Sequence, residues 1–300
     1  MSKSPKKILL LATSLFAAAT TTTACAHTTV KDADVCRADA DVDSLFRVPF
    51  RVVDGRIYVD VMVNDKGPFA FAIDTGASGL GRSDASLTKA LTLPITNGGL
   101  TSDGVATASV DMTRFESLEI GGYRRENIEV ITRDYSSRLS AEAAISGIIG
   151  RDFFADGVLI IDYPTRTLSF NRSLELPADD AQVVTYERPF RIPVSIGNVE
   201  TEGQMDTGAN VEFIMPKSLF DKIGGGPLQA AGDATLTNTS LETQTALVPG
   251  PFRFGGAEFT NINVRVSERF PELMVGARVL QHHKILIDQR SKRIAVCRPD

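Results

Sequence analysis

Two aspartates in different halves of the chain share an unusual setting. Asp74 ends one apolar run, Asp206 ends a second, and each is followed by Thr-Gly-Ala. An aspartate is almost never fully buried unless another group compensates its charge. Two carboxyl groups that meet can do this for each other by sharing one proton. The motifs therefore predict a paired-carboxylate site; the alternative is that each aspartate only caps a turn.

The sequence around these motifs repeats, which predicts a chain of two similar halves. A hydrophobic-hydrophobic-glycine segment follows each motif, ending at Gly150 in the first half and at Gly276 in the second. Asp162 comes 12 residues after the first glycine, and Asp288 comes 12 residues after the second. Such a self-match is typical of a fold assembled from related units. Runs of β-branched and aromatic residues between glycine- and proline-containing turns predict that both halves consist mainly of strands.

The motifs and their glycine segments resemble the aspartic proteases of the pepsin and retropepsin clan. The resemblance implies an all-β fold in which two similar β-barrel lobes lie on either side of a cleft. A short helix is expected after each Asp-Thr-Gly loop. The first lobe is expected at residues 46–174 and the second at residues 185–300, with a linker at residues 175–184 between them.

The resemblance also implies a role for each residue of the motifs. Asp74 and Asp206 are the expected catalytic pair, which activates a water molecule to hydrolyse a peptide bond. The residues expected to support the pair are Thr75, Gly76, Thr207 and Gly208. The threonines would hydrogen-bond across the pair, and the glycines would let the carboxyl groups approach each other. The implied activity is that of an aspartic endopeptidase with no metal or other cofactor. The alternative is a non-catalytic peptide-binding or envelope scaffold protein.

The chain departs from the pepsin pattern directly after each Asp-Thr-Gly. Pepsins usually carry Ser or Thr there, whereas this chain has Ala77 and Ala209, as retropepsins do. Fewer hydrogen bonds to the ionised carboxylate should leave the pKa values of the pair higher. We therefore expect activity at mildly acidic to near-neutral pH.

A glycine-containing turn in the first half occupies the place of the family's flap. The residues expected to contact substrate there are Thr101, Ser102, Asp103 and Gly104. The alternative is an ordinary hairpin tip. Residues 235–245 occupy the corresponding place in the second half, and the sequence leaves open whether they form a second flap.

The N-terminus and the overall charge predict an exported protein. Residues 1–26 combine early lysines with an apolar stretch and a small-residue cleavage site, which is typical of a secretory signal peptide. Cys25 offers an alternative, as the lipid-modified first residue of a lipoprotein attached to the outer membrane. Residues 27–45 are expected to form a flexible lead-in. A net charge of −5 gives no basic surface for nucleic acid. The expected partner is a peptide or protein substrate, and the expected state is a monomer in the periplasm or secreted.

Export leaves two cysteines, and their even number predicts one disulfide. Cys36 and Cys297 lie near opposite ends of the mature chain. Disulfides persist in oxidising compartments, so the pair is expected to join the two ends. The alternative is two unpaired thiols.

Overall fold

The protein is built mainly from β-strands. The computed structural model describes residues 35–37, 42–137 and 139–298. Strands make up 53% and helices 8%, which confirms the predicted all-β class. The predicted signal peptide and the alternative lipid-modified Cys25 lie outside the described residues. Among the residues described, no helix is both long and apolar enough to cross a membrane.

The elements of the first half are mostly strands with one short helix. They are β1 Ser44–Pro49, β2 Arg51–Val53, β3 Arg56–Val63, β4 Lys66–Asp74, β5 Gly81–Asp84, α1 Ala85–Ala90, β6 Thr96–Ser102, β7 Thr107–Ile120, β8 Tyr123–Arg133, β9 Gly147–Gly150, a 3-10 helix Arg151–Phe154, β10 Val158–Asp162 and β11 Thr167–Asn171.

The elements of the second half follow a similar order. They are β12 Val183–Thr185, β13 Arg191–Ile196, β14 Val199–Asp206, β15 Phe213–Pro216, α2 Lys217–Ile223, β16 Gln229–Thr235, β17 Ser240–Val248, β18 Phe252–Phe254, β19 Ala257–Phe259, β20 Ile262–Ser267, β21 Leu273–Gly276, α3 Ala277–Leu280, β22 Lys284–Asp288 and β23 Arg293–Val296.

An eight-stranded sheet positions the first aspartate. Its order is β2-β3-β4-β9-β5-β8-β7-β6. Strands β4 and β9 are parallel neighbours, and Asp74 lies opposite Gly150 at the end of the pair. All four residues of β9 are buried, as expected for an apolar strand that is covered on both faces. The glycine segment therefore lies beside the loop that follows Asp74.

A nine-stranded sheet repeats this arrangement around the second aspartate. Its order is β16-β17-β20-β15-β21-β14-β13-β18-β19. Strands β14 and β21 are parallel neighbours, and Asp206 lies opposite Gly276. The self-match found in the sequence thus corresponds to equivalent strand pairs that carry the two aspartates.

A third sheet combines strands of both halves, which the sequence did not predict. Its order is β1-β11-β10-β22-β23-β12, and β10 pairs with β22 in antiparallel register. Strand β12 begins at Val183, so the end of the segment predicted as a linker belongs to this sheet. Strand β1 begins at Ser44, two residues before the predicted start of the first lobe.

A short helix follows each Asp-Thr-Gly loop, as predicted. Helix α1 begins after Asp84, whose side chain accepts a hydrogen bond from the backbone N–H of Ser86. This is a favourable N-cap interaction. Helix α2 begins after Pro216, which takes the N-cap position and not a place within the first turn.

The predicted disulfide joins Cys36 to Cys297, with their Cα atoms 5.5 Å apart. Beside it Val35, only 3% exposed, packs in a small apolar cluster with Leu286 and Ala295. Residues 35–37, which belong to the segment predicted as a flexible lead-in, are therefore fixed to the six-stranded sheet.

We expect removal of the disulfide to destabilise the protein, because it closes a loop spanning 261 positions. The double substitution Cys36→Ala with Cys297→Ala should lower the free energy of unfolding by about 2–5 kcal/mol. Guanidinium denaturation with and without reductant measures the loss. Each single substitution should lose about as much as the pair. An unchanged midpoint in all three variants would contradict the prediction.

Candidate active site

The two aspartates end equivalent strands and begin equivalent turns. In the first turn, the backbone N–H of Ala77 donates to Asp74 Oδ1 at 2.9 Å. In the second, the backbone N–H of Gly208 donates to Asp206 Oδ1 at 2.7 Å. Each carboxyl group therefore has an amide donor from its own loop, and such a donor favours the ionised form.

Four hydrogen bonds made by Thr75 and Thr207 join the loops. The N–H of Thr75 donates to Thr207 Oγ1 at 3.1 Å, and the N–H of Thr207 donates to Thr75 Oγ1 at 3.0 Å. The Thr75 hydroxyl also donates to the carbonyl of Met205, and the Thr207 hydroxyl donates to that of Ile73. Thr75 is 2% exposed and Thr207 is fully buried. The network is reciprocal, so it fixes both loops relative to each other.

The motif glycines lie where a side chain would displace the opposite carboxyl group. A Cβ atom at Gly76 would meet the carboxylate of Asp206, and a Cβ atom at Gly208 would meet that of Asp74. Arg56 also joins the two halves, since its Nε donates a hydrogen bond to the carbonyl of Gly208 at 2.7 Å. The absence of side chains at both glycines is therefore what lets each carboxyl group lie against the other loop.

The carboxyl groups of the two aspartates are close enough to titrate together. Burial and the negative charge of Asp74 raise the pKa of Asp206 to about 8, and a hydrogen bond between the two side chains acts in the same direction. Hydrogen bonds from the backbone N–H groups of Gly208 and Gly76 oppose this rise. Near neutral pH the pair consequently retains one proton, which the two carboxyl groups share.

Two hairpins, one from each half, meet at their tips. The first hairpin consists of β6 and β7, and the second consists of β16 and β17. Of the predicted flap residues, Thr101 and Ser102 end β6, whereas Asp103 and Gly104 lie in the turn. Gly98 and Gly99 lie in β6 at a register shift.

The turn of the first hairpin reaches across to the second half. Val105 packs in an apolar cluster with Val211 and Ile214, which follow the Asp206 loop, and with Leu236 of the second hairpin. The first hairpin therefore spans from the sheet that carries Asp74 to the residues beyond Asp206.

Asn238 of the second hairpin forms hydrogen bonds with the turn of the first hairpin. Its backbone N–H donates to Asp103 Oδ2 at 2.7 Å, and its side-chain amide donates to the carbonyls of Thr101 and Ala106. Its side-chain oxygen accepts a hydrogen bond from Arg133 at 2.8 Å. The sequence did not identify Asn238, although its place between two threonines in a polar turn is a signal for a hairpin tip.

The comparison with known proteins agrees with this geometry. Residues 59–153 match the family model described as aspartyl protease, a range that includes Asp74 and Gly150. The match supports an aspartic protease of the retropepsin-like family. Asp206 and its loop lie outside the matched residues. A search of curated proteins found no match.

The structure brings together most of the residues that the resemblance to aspartic proteases singled out. Asp74, Asp206 and the four supporting residues of the motifs form one cluster, and the first hairpin lies beside it. Within the described parts of the chain, no group of three His, Cys, Asp or Glu residues could hold a metal ion. The two carboxyl groups lie where the two motif loops meet.

The threonine network generates a prediction about stability. Thr207→Val keeps the side-chain shape but leaves the Thr75 N–H and the Ile73 carbonyl without partners. We expect the free energy of unfolding to fall by about 2–5 kcal/mol, because each buried unsatisfied group costs about 1–3 kcal/mol. Urea denaturation measures this change.

Two controls separate the hydrogen bonds from the methyl group. Thr207→Ser keeps the hydroxyl and should cost only about 1 kcal/mol. Thr96→Val, the same exchange at an exposed strand position, should stay within about 0.5 kcal/mol. Equal losses for the Val and Ser variants at position 207 would show that the network does not stabilise the loops.

Proposed function

We propose that this protein is an aspartic endopeptidase in which Asp74 and Asp206 activate water. The family match to residues 59–153 supports a peptidase hydrolase generally. The observation that carries the finer proposal is the contact of the two carboxyl groups, each of which lies against the glycine of the other loop. Burial and the charge of Asp74 raise the pKa of Asp206 in this arrangement. A carboxyl pair that holds one proton near neutral pH contains both an acid and a base.

The reaction proceeds without a covalent intermediate. The ionised carboxylate takes a proton from a water molecule as the oxygen attacks the carbonyl carbon of the peptide bond. The protonated carboxyl group donates its proton to the carbonyl oxygen. The proton taken from water then passes from the pair to the amide nitrogen. As the carbon–nitrogen bond breaks, a hydroxyl group of the tetrahedral intermediate returns its proton to the pair and becomes the carbonyl of the new carboxyl group, so the pair again holds one proton. The acid and base roles belong to the pair, since its two titrations are coupled.

The first hairpin supplies the surface that covers a bound peptide. Its turn spans from one half to the other, and its backbone offers the hydrogen-bonding groups that an extended peptide requires. Opening of the hairpins is needed for entry, because Asn238 holds their tips together. Closure excludes water from the reacting groups.

The first experiment tests the aspartate pair. The mature protein is incubated with a peptide library, and the products are identified by mass spectrometry. Asp74→Asn and Asp206→Asn should each lower the rate of cleavage at least about 100-fold, since each removes an acid–base partner. Asp60→Asn is the matched control, because Asp60 is exposed on β3. Cleavage by both dyad variants at the wild-type rate would refute the proposal, and absence of cleavage by the wild type would favour a peptide-binding scaffold.

The pKa of Asp206 generates a prediction about pH. Because this pKa is raised, the shared proton is present below about pH 8 and is lost as the pH rises through that value. We therefore expect kcat/KM for a good peptide to fall about tenfold per pH unit above about pH 8–9. Initial rates from pH 3 to pH 10 measure the profile. A maximum near pH 2, with no activity at pH 6, would contradict it.

Export of the protein is part of the proposal. The Cys36–Cys297 disulfide fits an oxidising compartment, where structural disulfides persist. We also propose that the mature protein is a monomer and that it is periplasmic or secreted. N-terminal sequencing and mass measurement of the mature protein distinguish cleavage after Ala26 from a lipid-modified Cys25.

A further inference from the structure

An arginine beside the aspartate pair is buried without a counter-ion. Arg82 lies on β5 and is 8% exposed, and its side-chain partners within the described residues are uncharged: Thr101 Oγ1, which accepts from Nη1 at 3.4 Å, and the neighbouring hydroxyl of Tyr135. No carboxylate of the described chain forms an ion pair with it. A buried guanidinium without a compensating anion is costly. This cost indicates that a negative charge from outside the chain belongs next to Arg82.

A buried hydroxyl lies next to this arginine. Apart from the adjacent guanidinium of Arg82, the hydroxyl of Tyr135 has no hydrogen-bond partner within the described residues. Burial raises the pKa of Tyr135, while the positive charge of Arg82 and a hydrogen bond with it oppose that rise and the charge of Asp74 adds to it. The ring packs in the cluster that contains Ala77 and Ile148. Arg82, the Tyr135 hydroxyl and the Asp74 loop are therefore neighbours.

A second arginine faces the same tyrosine. The guanidinium of Arg133 lies 5.8 Å from the ring centroid of Tyr135. Its Nη1 donates to the side-chain oxygen of Asn238, which comes from the second hairpin. An uncharged oxygen thus occupies the place where a carboxylate would bind more strongly. Movement of the hairpins to admit a peptide would release this donor.

Two carboxylates near the arginines, those of Asp84 and Asp103, accept hydrogen bonds from backbone amides. Asp84 accepts hydrogen bonds from the N–H groups of Ser86, Tyr135 and Ser136. Asp103 accepts from the N–H groups of Val105, Ala106 and Asn238. Neither aspartate forms an ion pair with Arg82 or Arg133. Both guanidinium groups therefore lack a direct carboxylate partner within the described residues.

We propose that Arg82, Arg133 and the Tyr135 hydroxyl form a subsite that binds a carboxylate of the peptide substrate beside Asp74. The guanidinium groups donate to the carboxylate oxygens, and the Tyr135 hydroxyl supplies a further donor. The carboxylate is either an acidic side chain near the cleaved bond or the C-terminal carboxylate of a short peptide. The inference rests on the proposed peptidase function and adds the class of substrate to it.

The test begins with the peptide library and continues with matched peptides. Aspartate or glutamate should be enriched at one position near the cleaved bond, or cleavage should occur near free C-termini. Peptides that differ only by Glu against Gln at that position, or by a free acid against an amide at the C-terminus, then distinguish the two sources of the carboxylate. We expect the acidic peptide to have a kcat/KM about tenfold higher, mainly through KM, which corresponds to about 1.4 kcal/mol.

Substitutions link the preference to these residues. Arg82→Gln should reduce the tenfold ratio to about twofold or less. Tyr135→Phe removes only a hydroxyl, so it keeps the fold and should lower the ratio by about threefold. Arg253→Gln and Tyr123→Phe are the matched controls, since both residues lie in other contacts, with Glu258 and Arg172 respectively. The controls should keep the ratio of the wild type.

The outcomes separate this inference from the proposed function. Cleavage without any preference for a carboxylate, or a preference that persists in both Arg82→Gln and Tyr135→Phe, would overturn the subsite and leave the peptidase standing. If the wild type cleaves nothing, binding is measured by calorimetry with peptides that carry a hydroxyethylene group in place of the cleaved bond. Tighter binding of the acidic member of a pair would support the subsite, whereas equal binding or no binding would overturn it.

Discussion

Two half-buried carboxyl groups lie next to each other, and the surrounding structure compensates for that placement. Their mutual repulsion and burial favour retention of one proton, which the raised pKa of Asp206 reflects. Backbone amides of Ala77 and Gly208 stabilise the remaining charge. The Thr75–Thr207 network holds the loops at this separation, because each hydroxyl both donates and accepts across the boundary between the halves.

The sheets provide the rigidity that the two loops lack. Each aspartate ends a strand that is paired in parallel with a buried glycine strand, so its position is set by backbone hydrogen bonds and not by the loop itself. The six-stranded sheet joins the halves on the side where β10 meets β22. In contrast, the hairpins are joined at their tips by polar contacts of Asn238 and by a small apolar cluster. Such contacts open more easily than a sheet core.

Local patterns in the sequence were sufficient for the strand class, the short helices, the family resemblance and the disulfide. Each of these depends on neighbouring residues, on a repeated motif or on a cysteine count. The pairing of β10 with β22 was not predictable, because two apolar runs more than 120 positions apart contain no information about register. Arg82 and Tyr135 were missed for a related reason. A polar residue in a short strand reveals neither its burial nor its missing partner until the packing of the whole sheet is known.

The six-stranded sheet has a consequence for the order in which the chain can fold. Strand β10 remains an unpaired apolar edge until β22 is available, and β1 and β23 come from opposite ends of the described chain. An exposed edge of this kind is a template for pairing with other chains. A nascent chain must therefore be protected until β22 emerges, since long-range pairing of this type is also slow. The same sheet that unites the halves makes truncated chains prone to aggregation.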